Sequence, residues 1–173
     1  MAFGCCSSLQ KITLPDSVTT IGDDAFFCCS SLQKIILPDS VTTIGDNAFS
    51  GCSSLQKITL PDSVTTIGDK TFFVCSSLYE IIITDSVTTI GDKAFWGSSL
   101  HEIIIPESVT AIGDEAFGLC TSLYEITLPN SITSISNTAF WGCSSLHRII
   151  IPRHTKKKFE KLLPKYKDKL VEQ

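Results

Sequence analysis

The sequence lacks the local motifs on which most enzymes and nucleotide-binding proteins depend. Its 173 residues contain no G-x-S-x-G motif, no phosphate-binding loop and no dinucleotide fingerprint. Histidine is scarce as well, with three copies, and so are methionine, with one, and tryptophan, with two. We therefore predict that the chain is not an enzyme and that it uses no cofactor.

Long apolar runs and zinc-type cysteine spacings are also missing. No segment approaches the roughly 20 consecutive apolar residues that a membrane-spanning helix requires, so no membrane span is predicted. The first residues, MAFGCCSSLQ, have neither the basic start nor the apolar core of a signal peptide. Although cysteine is abundant, with eight copies, no C-x-x-C pair occurs, and we predict no metal site.

The dominant feature of the sequence is an internal repeat with a period of about 23 residues, shortened slightly in a single copy. Each copy reads L-x-x-I-x-(L/I)-(P/T)-(D/E/N)-S-(V/I)-T-x-I-(G/S)-x-x-(A/T)-F, and the copies begin at Leu9, Leu32, Leu55, Leu78, Leu100, Leu123 and Leu146. Residues 2–8 are the end of an earlier copy, which suggests a fragment or a trimmed chain. A period of this length predicts a solenoid, in which equivalent strands of successive copies form parallel sheets.

The string LPDSVTTIGDDAFFCCSSL, residues 14–32, resembles the BspA-type bacterial leucine-rich repeat. The resemblance covers about nine tenths of the chain and implies a right-handed superhelix, here of about seven rungs. It also implies a module for protein recognition, often on bacterial cell surfaces, so a cell-surface or secreted parent protein is expected. We assign residues 1–151 to the solenoid, with an incomplete first unit, and residues 152–173 to a basic helical cap of the same domain.

Within one copy the alternation of side chains predicts how a rung is built. Leu9, Ile12 and Leu14 should point inward from a first strand, Val18 to Ile21 should form a second, and Gly22 should allow a tight corner. The segment Asp23–Phe26 suits a short turn of helix. The phenylalanine of each copy should then stack into a buried column comprising Phe26, Phe49, Phe72, Phe95, Phe117 and Phe140.

The tail after Pro152 differs from the repeats in pattern and in charge. Its apolar residues have helical spacing, which predicts one helix near Lys156–Leu162 and a second starting at Pro164. It carries 8 basic and 3 acidic residues, against 6 and 15 in the body, and an acidic body argues against nucleic acid as a partner. The tail is interpreted as a cap, with contact to anionic lipid or cell-wall polymer as the alternative. The uncapped first rung could self-associate.

Three other sets of residues fall into columns. Six cysteines share one column and two share its neighbour; stacked side chains point the same way, so we expect free thiols that bond to the backbone and no disulfide. His101 and His147 lie two rungs, about 10 Å, apart, too far to share a metal ion. Two acidic columns are explained by turn and cap chemistry, with a Ca²⁺ ladder as the alternative: Asp16, Asp39, Asp62, Asp85 and Glu107, and Asp23, Asp46, Asp69, Asp92 and Asp114.

The positions at which the repeat varies indicate the candidate functional site. In the later copies, rings and charges replace Gln-Lys pairs on the first strand, and rings beside charges are typical anchors of protein interfaces. The predicted protein-binding face comprises Tyr79, Glu80, His101, Glu102, Tyr124, Glu125, His147 and Arg148. A secondary aromatic column comprises Phe27, Phe73, Trp96 and Trp141. The hypothesis is adhesion or binding of a host extracellular or serum protein; the alternative is a structural spacer or stalk.

Overall fold

The computed structural model describes residues 2–173, which form a parallel β-solenoid. Each sequence copy makes one rung, and we number the rungs 1 to 7 from the copies that begin at Leu9 to Leu146. A rung has three sides: a long strand, a short strand and a side built from turns. The solenoid and its repeat spacing confirm the predicted fold class.

The long strands follow the predicted alternation of exposed and buried side chains. In β1, for example, Ile12 points toward the core between the exposed Lys11 and Thr13. The long strands are Lys11–Thr13 (β1), Lys34–Ile36 (β3), Lys57–Thr59 (β5), Glu80–Ile82 (β7), Glu102–Ile104 (β9), Glu125–Thr127 (β11) and Arg148–Ile151 (β13). Where two long strands pair, they run parallel, and equivalent residues of neighbouring copies lie opposite each other. Lys11, for example, lies opposite Lys34.

The short strands contain two residues each, of which the second, an isoleucine, is buried. They are Thr20–Ile21 (β2), Thr43–Ile44 (β4), Thr66–Ile67 (β6), Thr89–Ile90 (β8), Ala111–Ile112 (β10) and Ser134–Ile135 (β12). β-Branched residues favour this extended backbone, as expected from the sequence. The shortened copy keeps the pairing of the short strands, since Ala111 lies opposite Thr89.

The turn side, residues Gly22–Cys29 in rung 1 and their equivalents, is not the helical turn that the sequence suggested. Asp24 and Cys28 have φ values of 53° and 56°, in the left-handed region, which breaks any helix. Alternate amides bond within the rung and to the next rung: the N–H of Ala25 donates to Gly22 (3.2 Å), and that of Phe26 donates to Ala48 (2.8 Å). The segment is therefore a series of tight turns that adds a third hydrogen-bonded side.

The phenylalanines form the predicted column in the core. Seven rings stack nearly parallel with centroids 5.2–5.8 Å apart; they comprise the six predicted phenylalanines and Phe3 at the start. The ring of Tyr166 closes the column edge-on, 5.6 Å from Phe140. The six predicted rings are almost fully buried, so the column is the centre of the hydrophobic core.

Hydrogen bonding between the long strands is interrupted twice within residues 2–173. β1 pairs with β3, β5 with β7, and β9, β11 and β13 pair in succession, but β3 does not pair with β5 and β7 does not pair with β9. The short strands are interrupted once, between β4 and β6. The turn side continues across both gaps, since Phe49 donates to Thr71 (2.9 Å) and Phe95 donates to Ala116 (2.7 Å).

The repeated Gly-Asp pair has a role that the sequence alone did not reveal. The carboxylate Oδ1 of Asp69 accepts the backbone N–H of Asp92 in the next rung at 2.8 Å. A Cβ at Gly91 would lie 2.5 Å from that oxygen and 2.8 Å from the backbone N of Asp69. At Gly91 the close approach of the previous rung therefore disfavours any side chain, whereas in rung 6 the same position is held by Ser136, whose hydroxyl bonds to the carboxylate of Asp114.

The tail contains the two predicted helices and then returns as a strand. The α-helix Lys156–Leu162 (α1) buries Phe159, and a 3-10 helix spans Pro164–Lys169. The last strand, Leu170–Glu172 (β14), pairs in parallel with β13 and lies along the edge of rung 7. We propose that residues 152–173 cap the solenoid of residues 1–151 within one domain, since they cover both the end of the phenylalanine column and the strand edge.

The cap predicts a loss of stability when the tail is removed. Deletion from Lys156 onward exposes Phe140 and the edge of β13, so we expect a lower melting temperature and association at micromolar concentration. Differential scanning calorimetry and analytical ultracentrifugation measure both effects. Replacing the exposed Lys165 and Lys167 by alanine is the control and should change neither. An unchanged melting temperature with a clean monomer would show that the tail is not a cap.

The close approach at the Gly-Asp pair predicts a steric cost of one added methyl group. Gly91→Ala should lower the free energy of unfolding by about 1–3 kcal/mol, because the methyl group meets the backbone of the previous rung. The matched control is Gly22→Ala in the same column, where a Cβ would have no neighbour within 4 Å. Its change should stay within about 0.5 kcal/mol in urea unfolding. Equal effects at the two positions would contradict the steric explanation.

Candidate functional site

The long strands position the predicted protein-binding face. Tyr79, His101, Tyr124 and His147 immediately precede β7, β9, β11 and β13, and the charged residue that follows each of them opens the strand. All four rings are exposed. Because equivalent residues stack in register, the backbone N–H of Tyr124 donates to His101 (2.8 Å) and that of His147 donates to Tyr124 (2.9 Å). The variable positions therefore form two neighbouring columns on one face.

Rungs 6 and 7 hold the most tightly organised part of this face. The rings of Tyr124 and His147 stack with centroids 5.0 Å apart, and the guanidinium of Arg148 lies 5.9 Å from the Tyr124 centroid. Arg148 Nη2 is 2.6 Å from Glu125 Oε2, and the His147 ring Nδ1 is 2.9 Å from the carbonyl oxygen of Ser145. Four of the eight predicted residues thus form one cluster of rings and charges.

Tyr79 and Glu80 belong to a second cluster that includes a residue missed by the sequence analysis. Lys57 forms an ion pair with Glu80, and its ammonium lies 5.2 Å from the centroid of the Tyr79 ring. The hydrogen bond to Glu80 raises the pKa of Lys57. The order of the column, lysine at rung 3 followed by glutamate at rung 4, was the signal for this pair. Since β7 and β9 are not paired, this cluster lies on a separate strand ladder from Tyr124 and His147.

A third outward column, next to the charged one, was also missed. The third residue of each long strand is either threonine or isoleucine: Thr13, Ile36, Thr59, Ile82, Ile104, Thr127 and Ile150. Ile36, Ile82 and Ile104 are 52%, 51% and 74% exposed. The alternation of the strand marks this position as solvent-facing, so isoleucine there was the available signal. The face therefore combines rings, charges and exposed aliphatic groups.

A hollow on the face lies at the gap between β3 and β5. It has a volume of about 610 Å³, and its lining includes Gln33, Ile36, Gln56, Lys57 and Tyr79. The half of the face with repeated Gln-Lys pairs therefore also contains a concave surface, although its sequence is nearly uniform. Tyr79 connects this hollow to the cluster of rung 4.

The secondary aromatic column lies on the turn side and not on the long-strand face. Phe73 and Trp96 stack with centroids 4.8 Å apart, and both are half-buried, as is Phe27. Trp96 leans over Gly118, where a Cβ would lie 2.6 Å from its ring. Trp141 is 54% exposed. The two predicted sets of site residues thus occupy different sides of a rung.

The cysteine column has the structural role that the sequence predicted. The thiols of Cys52, Cys75 and Cys120 donate to the carbonyl oxygen of the phenylalanine in the preceding rung at 3.1–3.2 Å, and Cys29 and Cys143 bond in the same way. Burial raises the pKa of Cys52 and of Cys143 to about 12 and that of Cys120 to about 11. Such thiols stay protonated near neutral pH and are poor nucleophiles.

The Gly-linked acidic column binds amides of the chain itself. From Asp23 to Asp92, each carboxylate accepts the backbone N–H of the aspartate in the next rung, at 2.7–2.9 Å. Within residues 2–173, no group of three or more His, Cys, Asp or Glu side chains is arranged to hold a metal ion. Backbone bonding between rungs therefore accounts for these carboxylates without the Ca²⁺ ladder.

The parallel solenoid and its outward variable columns are those of a leucine-rich-repeat protein, a class whose solenoids are typically non-catalytic. The chain belongs to the family of the BspA type leucine rich repeat region, with six copies that match residues 1–118 and 88–166. A search of the curated proteins finds no significant match to the sequence. The described residues include no helix that is long and apolar enough to cross a membrane.

Three solved structures show how far the similarity extends. A leucine-rich repeat protein from Bacteroides ovatus is 38% identical with a TM-score of 0.76, and the match covers 82% of this chain and 41% of that protein. The T. pallidum leucine rich repeat protein is 28% identical with a TM-score of 0.72, over 89% and 83% of the two chains. A leucine rich cell surface protein from Faecalibacterium prausnitzii is 28% identical with a TM-score of 0.59, over 86% and 56%.

The thiol geometry predicts a graded pattern of alkylation. In the folded protein, iodoacetamide at pH 8 should label the exposed Cys5 and Cys6 first, while the buried Cys29, Cys52, Cys75 and Cys120 resist because burial keeps them protonated. After denaturation without reductant, intact-mass measurement should show all eight thiols labelled. A consistent deficit of two labels would reveal a disulfide, and fast labelling of Cys75 in the native state would contradict its burial.

Proposed function

We propose that the chain is a non-catalytic protein-recognition module of a bacterial surface or secreted protein, which binds a host extracellular or serum protein through its long-strand face. The observation that carries this proposal is the pair of clusters around Tyr79 and Tyr124, where exposed rings are held by charged neighbours. Exposed tyrosine and arginine side chains are typical hot spots of protein interfaces. Stacking of the rungs requires neither.

The geometry of the clusters supports binding at a low entropic cost. Arg148 is held between Glu125 and the Tyr124 ring, and that ring is stacked on His147. Side chains that are already ordered lose less rotamer freedom when a partner binds. The solenoid adds a long, preformed surface on which the rungs fix the spacing between anchors. A protein ligand can therefore contact several rungs without reorganising them.

The surface location rests on similarity. One related structure, 28% identical, is a leucine rich cell surface protein from F. prausnitzii. The chain spans 41% of the B. ovatus protein that it matches. The similarity therefore concerns the repeat region that the two proteins share. A module of this kind serves adhesion when its partner is a host protein.

The alternative function is a structural spacer or stalk. It is favoured by the near identity of the buried positions and by the turn side, which is hydrogen-bonded between successive rungs from Phe3 to Trp141. A spacer needs only these stacking interactions. It gives no reason for the change from Gln-Lys pairs to rings and carboxylates in rungs 4 to 6, and we therefore favour recognition.

The test is a binding screen against purified extracellular-matrix and serum proteins by surface plasmon resonance, with wild type and a triple variant, Tyr79→Ala, Tyr124→Ala and Arg148→Ala. Each anchor should contribute about 1–2 kcal/mol, roughly 5- to 30-fold in affinity, so the triple variant should lose most binding. A matched control variant, Gln10→Ala, Gln33→Ala and Lys34→Ala, changes the same two columns outside the clusters. Circular dichroism confirms that both variants are folded.

Two results would count against the proposal. If a ligand is found and the triple variant binds it as well as the wild type does, the site lies elsewhere, and the Trp96 and Trp141 column is the next region to mutate. If no protein in the screen binds the wild type, the spacer function is supported instead.

A further inference from the structure

The isoleucine column contains an apolar site at rungs 4 and 5 that the ring clusters do not use. Ile104 is the most exposed large apolar residue of the described chain, at 74%, and Ile82 beside it is 51% exposed. In the same column Ile150 is 6% exposed, in the strand that pairs with β14 at the end of the chain. The column is therefore covered at rung 7 and open at rungs 2, 4 and 5, and only at rungs 4 and 5 do two open isoleucines lie on successive rungs.

Two hollows flank Ile104 and give the site its shape. The first, about 480 Å³, lies where β7 and β9 are unpaired, and its lining includes Ile82, Ile104, Asp85 and Glu102. The second, about 410 Å³, reaches toward rung 7 and is lined by Ile104, Thr127 and Ile150 with Asp85 and Glu107. Both share Ile104, Asp85 and Pro106, so they form one apolar surface with a ridge at Ile104.

The charged side chains that line the two hollows are all acidic. Glu102 lies on one side of the isoleucine column, and the exposed Asp85 and Glu107 lie in the turn on its other side. On the same face, Glu80 and Glu125 are paired with Lys57 and Arg148. No ion pair engages Glu102, Asp85 or Glu107 within residues 2–173. An apolar surface between unpaired carboxylates complements a segment that carries both an aliphatic side chain and a cation.

We propose that the hollows on both sides of Ile104 bind an extended segment of a protein partner in which a branched aliphatic side chain stands next to lysine or arginine. The aliphatic group lies against Ile82, Ile104 and Pro106, and the neighbouring cation pairs either with Glu102 or, toward the other end of the strand, with Asp85 and Glu107. This inference rests on the proposed function, because it names the chemistry of a partner for the same long-strand face. It adds an anchor site independent of Tyr79 and Tyr124.

The test uses a phage-displayed library of random 12-residue peptides, panned against the intact chain. Enriched peptides are synthesised with a fluorescein label and measured by fluorescence anisotropy. We expect enrichment of leucine, isoleucine or valine within two positions of lysine or arginine, and weaker binding at higher salt, since the charges are exposed. Ile104→Thr should weaken binding about 5- to 30-fold, and Glu102→Gln should also weaken it and reduce the dependence on salt.

The chain provides a matched control, Ile36→Thr, in the same column three rungs away. Threonine already occupies this position at Thr13, Thr59 and Thr127, so neither isoleucine replacement disturbs the fold. Ile36→Thr should change the affinity less than about two-fold. Peptides without a basic residue, or peptides that bind Ile104→Thr as tightly as the wild type, overturn the inference.

The same measurements separate this inference from the proposed function. Peptides weakened by the Tyr79, Tyr124 and Arg148 triple variant but not by Ile104→Thr would overturn the site at Ile104 and leave recognition through the clusters intact. A library from which no enriched peptide is weakened by either set of changes would overturn the inference and count against recognition of extended segments by this face. Loss with Ile104→Thr alone would support the site and place the principal anchor away from the clusters.

Discussion

The structure depends on backbone hydrogen bonds that run from each rung to the equivalent part of the next, in a register that the shortened copy preserves. This register places equivalent residues on top of one another. Each side chain must therefore pack or bond favourably next to the same type of side chain in the neighbouring rungs. Phenylalanine meets this demand by stacking, and cysteine meets it by donating to a carbonyl of the preceding rung. Aspartate next to glycine meets it by accepting an amide of the next rung. The sequence repeats because the same contact must be remade at every rung.

The same constraint decides where charges are paired on the exposed face. Stacking in register makes like charges neighbours along the column, as for Lys11 and Lys34 or for Glu102 and Glu125. Ion pairs form where the sign changes, between Lys57 and Glu80 and between Glu125 and Arg148. Glu102, in the middle of three glutamates, has no such neighbour. Its unpaired charge follows from column order alone.

Much of the fold could be predicted because the same residue types recur at equivalent positions in every copy. The long strands, the buried phenylalanines and both tail helices lie where the sequence placed them, and the start of the second helix at Pro164 is fixed by proline chemistry. The turn side could not be predicted, because Lys70, Lys93 and Glu115 adopt left-handed backbone that their residue types disfavour. The stacking of rungs on both sides imposes that conformation. The sequence of a single copy does not indicate this left-handed backbone.

The candidate site was predictable as columns but not as clusters. The order of Tyr79, His101, Tyr124 and His147 gives their alignment, whereas the partnership of Lys57 with Tyr79 and the break between β7 and β9 depend on packing between rungs. The exposed isoleucines were missed for a different reason. Ile36, Ile82 and Ile104 look like additional core residues in a strand rich in isoleucine, and only the strand's alternation places them outside.

The two gaps in the long-strand sheet link the fold to the proposed recognition function. Hollows of about 610 Å³ and 480 Å³ lie at the two places where strands are unpaired, between β3 and β5 and between β7 and β9. At both gaps the turn side keeps its hydrogen bonds and the phenylalanine column stays stacked. Widening of either hollow would therefore break no hydrogen bond between long strands, while the turn side, and at the second gap the paired β8 and β10, keep the rungs connected. The rungs are thus hydrogen-bonded continuously along the turn side, and the face proposed to bind a partner lies on the side where the sheet is interrupted.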